Sequence, residues 1–216
     1  MPFRTLFIDL DETVYPAACG VWEAIAARMD QYIYEQLAIP REEIVSLRQS
    51  LFHQYGTTLR GLQETRGVDM VKFLDFVHDV PVADLLQPDP ELRTVLMGYP
   101  QRKVIFTNAD RGHAARVIAQ LGLEGCFDLV IDIYDLAPNC KPMREAYQTA
   151  MRLTGETDPA QCVFIDDSPR NLSGARAAGM FTVQVGSPKA GFQHPDGVAH
   201  ARIARLHDLP QVLPPV

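Results

Sequence analysis

Short apolar runs alternate with stretches of helical periodicity over much of the chain. Runs of this length are too short for helices and predict buried strands. Between the later runs, apolar residues recur at helical spacing, as they do over residues 112–121. Strands that alternate with helices favour a parallel sheet with right-handed crossovers, so we predict a doubly wound α/β fold. The predicted strands cover residues 5–9, 103–107, 127–131, 162–166 and 181–185.

Helical periodicity alone fills the interval between the first predicted strand and the second. A stripe of apolar residues begins at Trp22, a second helix is predicted from Arg41, and a third contains Val71. The stretch Tyr55 to Thr58 is expected to break the second helix. We therefore predict an α/β core with an inserted all-helical cap. The core is predicted to comprise residues 1–15 and 85–216, and the cap residues 16–84.

The position of this insert bears on function. It follows the first predicted strand directly, and ligands of open parallel sheets bind at the carboxyl edge of the strands. We therefore expect the cap to lie over that edge.

Local signals predict where some helices begin and where regular structure ends. Pro142 is placed to be the first residue of one helix, and Asp110 and Ser168 are placed to cap two others. The tail after Gly186 is rich in proline, glycine and histidine, and we predict no further strand in it.

Composition and charge exclude several classes of protein. Twenty Lys and Arg against 27 Asp and Glu give a net charge of −7, which disfavours binding to nucleic-acid polymers and anionic membranes. The four cysteines lack C-x-x-C spacing and are typical of reduced thiols in an intracellular protein. No apolar stretch approaches the ~18 residues of a membrane span, and no signal peptide is recognisable. We expect a cytoplasmic protein, with its oligomeric state left open.

Carboxylates follow two of the predicted strands. Asp9 and Asp11 are one residue apart and point the same way in an extended chain, and Asp166-Asp167 ends another strand. Because the carboxyl ends of parallel strands meet at one edge, these groups are expected to gather there and to need a cation. Oxygen ligands of this kind suit Mg²⁺, which commonly binds one or two carboxylates and a substrate phosphate.

A candidate phosphate site accompanies the carboxylates. Thr107 and Asn108 offer a hydroxyl, an amide and main-chain N–H groups before a helix, which is a favourable seat for an anion. Lys141 adds a point charge that suits phosphate. A carboxylate nucleophile, a carboxylate acid/base, Mg²⁺ and an anion site together fit phosphoryl transfer through an aspartyl-phosphate.

This set of motifs resembles the four motifs of the haloacid dehalogenase (HAD) superfamily, and the resemblance covers essentially the whole chain, including a helical cap after the first motif. Glu12 lies where the family often has Asn or Gly. The motifs that carry the resemblance are Asp9-x-Asp11-x-Thr13, Thr107-Asn108, Lys141-Pro142 and Asp166-Asp167.

The resemblance implies a role for each motif residue. Asp9 would be the nucleophile and a metal ligand. Asp11 would be the general acid/base and would give Mg²⁺ its main-chain carbonyl. Thr107 would hold the transferring phosphoryl group and Lys141 would neutralise it. Asp167 would be a metal ligand. Asp166 would lie behind the ligands or orient Lys141.

A narrower resemblance, to the pyrimidine 5′-nucleotidase branch, points to the substrate. It implies hydrolysis of pyrimidine 5′-mononucleotides or similar small phosphometabolites, with Tyr55, Thr57, Thr58 and Arg60 of the cap as candidate substrate contacts. The stretches that carry it are Thr13 to Pro16, Tyr55 to Leu62, Phe76 to Asp79, Phe106 to Ala109 with His113-Ala114, and Asp167 to Asn171.

Two alternatives to this function stay open. One is a 2-haloacid dehalogenase-type hydrolase, against which Asp11 argues because that chemistry needs neither Mg²⁺ nor an acid for an alkoxide leaving group. The other is a phosphatase that acts on sugar phosphates. The histidines, His78 and His113 among them, show no metal-ligand spacing and are expected to be surface or structural residues.

Overall fold

A six-stranded parallel sheet forms the centre of the computed structural model, which describes residues 3–186 and 197–215. Its strand order is β3-β2-β1-β4-β5-β6, so the first strand of the chain lies in the middle. The predicted fold class is confirmed. The strands are β1 (Thr5–Ile8), β2 (Arg102–Phe106), β3 (Leu129–Ile131), β4 (Cys162–Asp166), β5 (Phe181–Val185) and β6 (Ala201–Ile203).

Helices cover both faces of this sheet. Side chains alternate along β1, so that Leu6 and Ile8 belong to one apolar cluster and Phe7 to the other. The helices are α1 (Val21–Leu37), α2 (Arg41–Tyr55), α3 (Thr58–Arg66), α4 (Met70–Val77), α5 (Val82–Leu85), α6 (Pro90–Met97), α7 (Arg111–Gln120), α8 (Ile133–Leu136), α9 (Arg144–Thr154), α10 (Pro169–Ala177) and α11 (Leu209–Val212). None of the described helices is long and apolar enough to cross a membrane.

The four helices between β1 and α5, which we call the helical segment (α1–α4), have an apolar cluster of their own. Ile33, Leu62 and Val77 are fully buried in it. The segment also packs on the rest of the protein. Val21 and Ile25, at the start of α1, belong to a cluster of the sheet, so α1 runs from one packing unit into the other.

The second helix ends within the predicted stretch Tyr55 to Thr58, but the helix that follows it at once was not predicted. The break after α2 is short, because Thr57 caps a new helix by accepting a hydrogen bond from the N–H of Arg60. Thr58 and Arg60 therefore lie in α3. The prediction that Pro142 begins a helix is wrong. The next helix, α9, starts at Arg144, because the side chain of Asn108 holds the main chain of Lys141.

The N-cap predictions had mixed outcomes. The side chain of Asp110 caps α7, as predicted, by accepting from the N–H of His113. Ser168 occupies the N-cap position of α10, but its side chain makes no capping bond. Its own N–H donates to Oδ1 of Asp166, which directs this turn toward the sheet edge instead.

Strand β6 arises from the tail in which no strand was predicted. Its three residues pair in parallel with β5 at the edge of the sheet. The tail just before β6 is anchored by His200, whose N–H donates to the carbonyl of Thr182 at 2.9 Å. Residues 187–196 of the same tail lie outside the described residues.

Candidate active site

The carboxyl ends of three adjacent strands bring the motif residues to one edge of the sheet. Asp9 follows β1 directly, and its N–H donates to the carbonyl of Ile165 in β4 at 2.9 Å. Thr107 follows β2 in the same way, with its N–H 3.0 Å from the carbonyl of Ile131. Asp166 is the last residue of β4. Hydrogen bonds of the sheet therefore fix the main chain at all three positions.

The side chain of Lys141 connects these strand ends. Its Nζ lies 2.6 Å from Oδ1 of Asp9 and 3.0 Å from Oδ2 of Asp166, and it donates to the carbonyl of Phe106 at 2.7 Å. Lys141 is only 1% exposed. Burial alone would lower the pKa of Lys141, but the Asp166 and Asp9 carboxylates raise it above its ordinary value, so the ammonium stays charged.

Three carboxylates meet beside this ammonium. Oxygens of Asp9, Asp166 and Asp167 lie within 4.8 Å of one another. Burial raises the pKa of Asp9 well above its ordinary value, Lys141 opposes this increase, and the charges of Asp166 and Asp167 add to it. Together with Lys141, the described residues of this cluster carry an excess of negative charge. An all-oxygen site of this charge fits the Mg²⁺ expected from the sequence.

The loop that carries Lys141 is held by Asn108. The side-chain amide of Asn108 donates to the carbonyl of Lys141 at 3.0 Å and accepts from its N–H at 2.9 Å. Asn108, predicted to bind phosphate, thus uses its side chain to fix the main chain of the lysine. The hydroxyl oxygen of its neighbour Thr107, which is 1% exposed, accepts from the N–H of Ala109 at 3.0 Å.

The carboxylate of Asp11 lies apart from the three-carboxylate cluster. It accepts hydrogen bonds from the hydroxyl of Tyr15 and, at 2.8 Å, from Nε2 of His113. Burial would raise the pKa of Asp11, but the electrostatic attraction and hydrogen bond of His113, with the bond from Tyr15, bring it below its ordinary value. This geometry leaves the main-chain carbonyl, rather than the side chain, as the part of Asp11 to be considered for the metal.

The turn after β1 explains the family preference at position 12. Glu12 has a φ of 61°, in the left-handed region where Asn and Gly are favoured over other residues. The main chain therefore turns immediately after Asp11. The hydroxyl of Thr13, one residue later, accepts from the N–H of Asp167 at 3.1 Å and so ties the turn to the end of β4.

His113 and His78 are functional candidates that sequence reasoning missed. The two rings stack with centroids 4.5 Å apart, and Nδ1 of His78 contacts the carboxylate of Asp110. His113 lies in the first turn of α7, and the predicted capping role of Asp110 would have placed it there. That end of α7 faces the carboxyl edge of the sheet. The spacing of Asp110 and His113 could therefore have predicted that His113 lies near the site.

The helical segment contacts the site through the turn between α2 and α3. A Cβ on Gly56, whose φ is +97°, would lie 2.9 Å from Sγ of Cys140 and 3.4 Å from the carbonyl oxygen of Lys141. The turn therefore packs directly on the lysine loop. Beside it, Arg60 donates to the carbonyl of Pro138, and Thr58 is 8% exposed.

The other candidate contacts of the segment serve main-chain structure. Thr57 caps α3, and the carbonyl of Tyr55 accepts from Sγ of Cys140 at 3.7 Å. A further link runs from the core to the segment. Arg170 of α10 donates to the carbonyls of Phe52 and His53 at the end of α2.

This arrangement has the parts that phosphoryl transfer needs. A carboxylate nucleophile candidate, Asp9, lies next to a buried ammonium and to oxygen ligands for a divalent cation. A second carboxylate, Asp11, is oriented separately by two donors. Catalysis of phosphoryl transfer depends almost wholly on positioning and on neutralising charge.

Comparisons with known proteins identify the family of this chain. The model of the haloacid dehalogenase-like hydrolase family matches residues 3–179. Phosphate metabolism protein 8 of Saccharomyces cerevisiae is 27% identical over 191 residues, which cover 82% of this chain and 60% of that protein. Fructose-1-phosphate phosphatase YqaB of Escherichia coli is 30% identical over 112 residues, 52% of this chain and 54% of that protein. The chain thus spans less than two thirds of the length of these curated relatives.

Solved structures agree on the fold. The HAD-hydrolase YfnB of Bacillus subtilis, solved bound to magnesium, aligns with a TM-score of 0.65 at 18% identity and with 99% of each chain covered. The resemblance found in the sequence motifs is confirmed at the level of the superfamily. Because the family model spans most of the sequence, this chain belongs to the haloacid dehalogenase-like hydrolase family.

Proposed function

We propose that this protein is an Mg²⁺-dependent phosphomonoester hydrolase that works through a phosphorylated Asp9. The observation that supports it most strongly is the buried contact of Lys141 Nζ with Asp9 at 2.6 Å and Asp166 at 3.0 Å, at the sheet edge where ligands of such folds bind. An ammonium there stabilises the charge of a phosphoryl group beside the nucleophile.

In the first step, a carboxylate oxygen of Asp9 attacks phosphorus. The new O–P bond forms as the bond to the ester oxygen breaks, and the leaving oxygen takes the electron pair. Asp11, protonated, donates its proton to that oxygen, which departs as an alcohol. The phosphate dianion favours the protonated form of Asp11 at this stage. Thr107 and the ammonium of Lys141 bind the transferring group.

In the second step, water attacks the phosphorus of phospho-Asp9. Asp11, now ionised, takes the proton of the water, and the O–P bond to Asp9 breaks with the electron pair returning to the carboxylate. The hydrogen bonds from Tyr15 and His113 favour the ionised form of Asp11 that this step requires. The products are inorganic phosphate and the original enzyme.

Asp9 and Asp167, with the main-chain carbonyl of Asp11, are the proposed ligands of Mg²⁺. Bound there, the ion would neutralise phosphate charge and orient the substrate. Asp166 is better suited to orient Lys141, because it is fully buried and bonds to the ammonium, to the N–H of Ser168 and to the side chain of Asn171.

For the substrate we propose small phosphometabolites, with pyrimidine 5′-mononucleotides first. The proposed cap, residues 16–84, contains the helical segment and would contact the leaving group. Its α2–α3 turn packs on the lysine loop, which supports this role. A sugar phosphate is the second candidate, because one relative is named as a fructose-1-phosphate phosphatase.

A phosphate-release screen tests the proposal. Purified protein with Mg²⁺ is given UMP, CMP, AMP, GMP, fructose 1-phosphate and p-nitrophenyl phosphate. Hydrolysis of at least one ester supports a phosphatase, and faster hydrolysis of UMP or CMP supports the nucleotidase assignment. Release of chloride from 2-chloropropionate with no phosphate release would replace the proposal by the dehalogenase alternative.

Asp9→Asn tests the nucleophile within the same screen. The amide has the same shape but cannot attack phosphorus, so the rate should fall by several orders of magnitude. Asp132→Asn is the matched control, since Asp132 is a buried carboxylate that follows β3, two strands from β1 in the sheet, and caps α8. Its rate should stay within about threefold of wild type. If Asp9→Asn keeps more than about a tenth of the rate, a change below ~1.4 kcal/mol, Asp9 is not the nucleophile.

A further inference from the structure

One oxygen of the Asp11 carboxylate is held from two sides. The hydroxyl of Tyr15 and Nε2 of His113 both contact Oδ1, the histidine at 2.8 Å. Tyr15 lies in the turn after β1, whereas His113 belongs to α7. Among the residues that the structure describes, the hydrogen bonds to this side chain end on Oδ1. The other oxygen, Oδ2, accepts neither of these bonds.

The tautomer of His113 follows from its hydrogen-bond partners. The side chain is fully buried, and its Nδ1 has no hydrogen-bond partner in the described part of the chain. A proton on Nδ1 would leave a buried donor unsatisfied, which is costly. The favoured tautomer therefore carries its proton on Nε2 and donates it to Asp11.

A second histidine keeps this ring in place. His78, which ends α4 of the helical segment, stacks on His113 at 4.5 Å with an interplanar angle of 16°. His78 is anchored by its contact with Asp110 and by a 2.9 Å bond from Arg116 to its carbonyl. The ring of His113 is thus backed by a residue that is itself tied to α7.

We propose that His113 is a positioning residue of the reaction: it fixes the Asp11 carboxyl through Oδ1 so that Oδ2 faces the leaving oxygen. The inference rests on the proposed function, in which Asp11 protonates that oxygen. His113 does not contact the substrate. It acts by removing the rotation of Asp11 that would otherwise take the proton away from the leaving group.

Two aryl esters separate positioning from a structural role. Phenyl phosphate and p-nitrophenyl phosphate differ by one nitro group, but phenolate is a far poorer leaving group and depends on protonation. The kcat/KM value includes only the steps up to loss of the leaving group, so it reports the donation by Asp11. A substitution that only disturbs the structure lowers kcat/KM on both esters by the same factor.

His113→Leu should therefore lower kcat/KM about 30-fold on phenyl phosphate and less than about 3-fold on p-nitrophenyl phosphate, because general acid catalysis contributes ~10²–10⁴-fold. His113→Gln keeps a donor near the position of Nε2 and should restore most of the loss. Tyr15→Phe removes the other donor to Oδ1. It should also lower kcat/KM more on phenyl phosphate than on p-nitrophenyl phosphate. This second variant decides the test if His113→Leu does not fold.

His207→Leu is the matched control. His207 also donates Nε2 to a carboxylate, that of Asp89 at 2.9 Å, and also has a buried, unpartnered Nδ1 among the described residues. It lies outside the site, and both esters should keep their wild-type ratio. An equal loss on both esters in His113→Leu and Tyr15→Phe, with an active wild type, overturns this inference alone. A wild type that hydrolyses neither ester overturns the proposed function as well.

Discussion

Lys141 shows at the level of one residue how the site and the stability of the fold depend on the same charge. Its ammonium is buried between Asp9 and Asp166. Lys141→Met leaves these carboxylates buried without their cation, so we expect a loss of ~3–5 kcal/mol in the free energy of unfolding, together with loss of activity. Urea denaturation measures the first effect and phosphate release the second.

Lys103→Met supplies the comparison for this prediction. Lys103 is also buried, but among the residues that the structure describes its Nζ donates to the carbonyls of Tyr99 and Gln101 rather than to a carboxylate. Lys103→Met should lower the free energy of unfolding by about 1–3 kcal/mol. Adding Asp9→Asn and Asp166→Asn to Lys141→Met should recover stability without activity. Equal destabilisation by the two lysine substitutions would contradict the charge argument.

The Asp110 carboxylate makes stability depend on pH. Burial would raise its pKa, but the hydrogen bond and charge of His78 lower it from 3.8 to about 2. The ionised form is thus favoured in the folded state, which gains stability above about pH 4 and loses it as the pH falls toward 2. Asp110→Asn keeps the helix cap and lacks this titration. Between about pH 5 and pH 2, wild type should lose ~1 kcal/mol more than the variant, after solvent screening is allowed for.

Urea unfolding of the two proteins across this range checks the prediction. Parallel decreases in the free energy of unfolding would show that Asp110 titrates normally.

At the residue scale, sequence reasoning placed candidate residues at the correct edge of the sheet where they end a strand or follow it directly. Asp9, Thr107 and Asp166 needed only the rule that parallel strands end at one edge. Asn108 and His113 required contacts across the fold. The sequence alone does not show that the Asn108 amide bonds to the main chain of Lys141, 33 positions away. Nor does it show that the His113 ring contacts Asp11, 102 positions away.

At the scale of elements, α3 changes how substrate selectivity is to be tested. Thr58 and Arg60 lie in its first turn, and Arg60 is bonded to the core at Pro138. The double substitution Thr58→Ala with Arg60→Ala should remove a preference for UMP over AMP in kcat/KM, because buried polar groups discriminate strongly between substrates. Arg66→Ala, at the other end of α3, is the control. An unchanged preference in the double variant would exclude this turn as the selectivity element.

Elements with strong periodicity were predicted well, and short ones were not. The apolar stripe of α1 is long enough to define a helix by itself. Strand β6 has only three residues, at the edge of the sheet. Helix α3 has nine residues and no long apolar stripe. Both depend on partners that come from elsewhere in the chain, namely β5 and α2. Local pattern cannot show such partners.

At the scale of the whole molecule, a bound metal should stabilise the protein. The carboxylates of the cluster repel one another in the folded state, and a cation removes this cost. Mg²⁺ at about 100 times its dissociation constant should add ~2.7 kcal/mol, or roughly 5–10 °C in Tm. EDTA should abolish both this shift and activity. Thermal unfolding with and without Mg²⁺ measures the effect.

Asp167→Asn weakens one proposed ligand and should reduce the Mg²⁺-dependent shift in Tm by at least half. Asp132→Asn should keep it, because that carboxylate is occupied with capping α8. A shift of equal size in all three proteins would place the ion elsewhere.

The strand order also governs when the site can form during synthesis. Asp9 is made almost at once, but β1 pairs with β2 and with β4, and β4 begins at Cys162. At ~5–20 residues per second, the ribosome takes roughly 8–30 s to travel from Asp9 to Cys162. The helices of the segment can pack in that interval through contacts near in sequence, while the apolar β1 lacks its second neighbour. A chain stalled before Cys162 therefore carries Asp9 but lacks the strand end that would complete the proposed site, and it exposes an unpaired strand edge that favours aggregation.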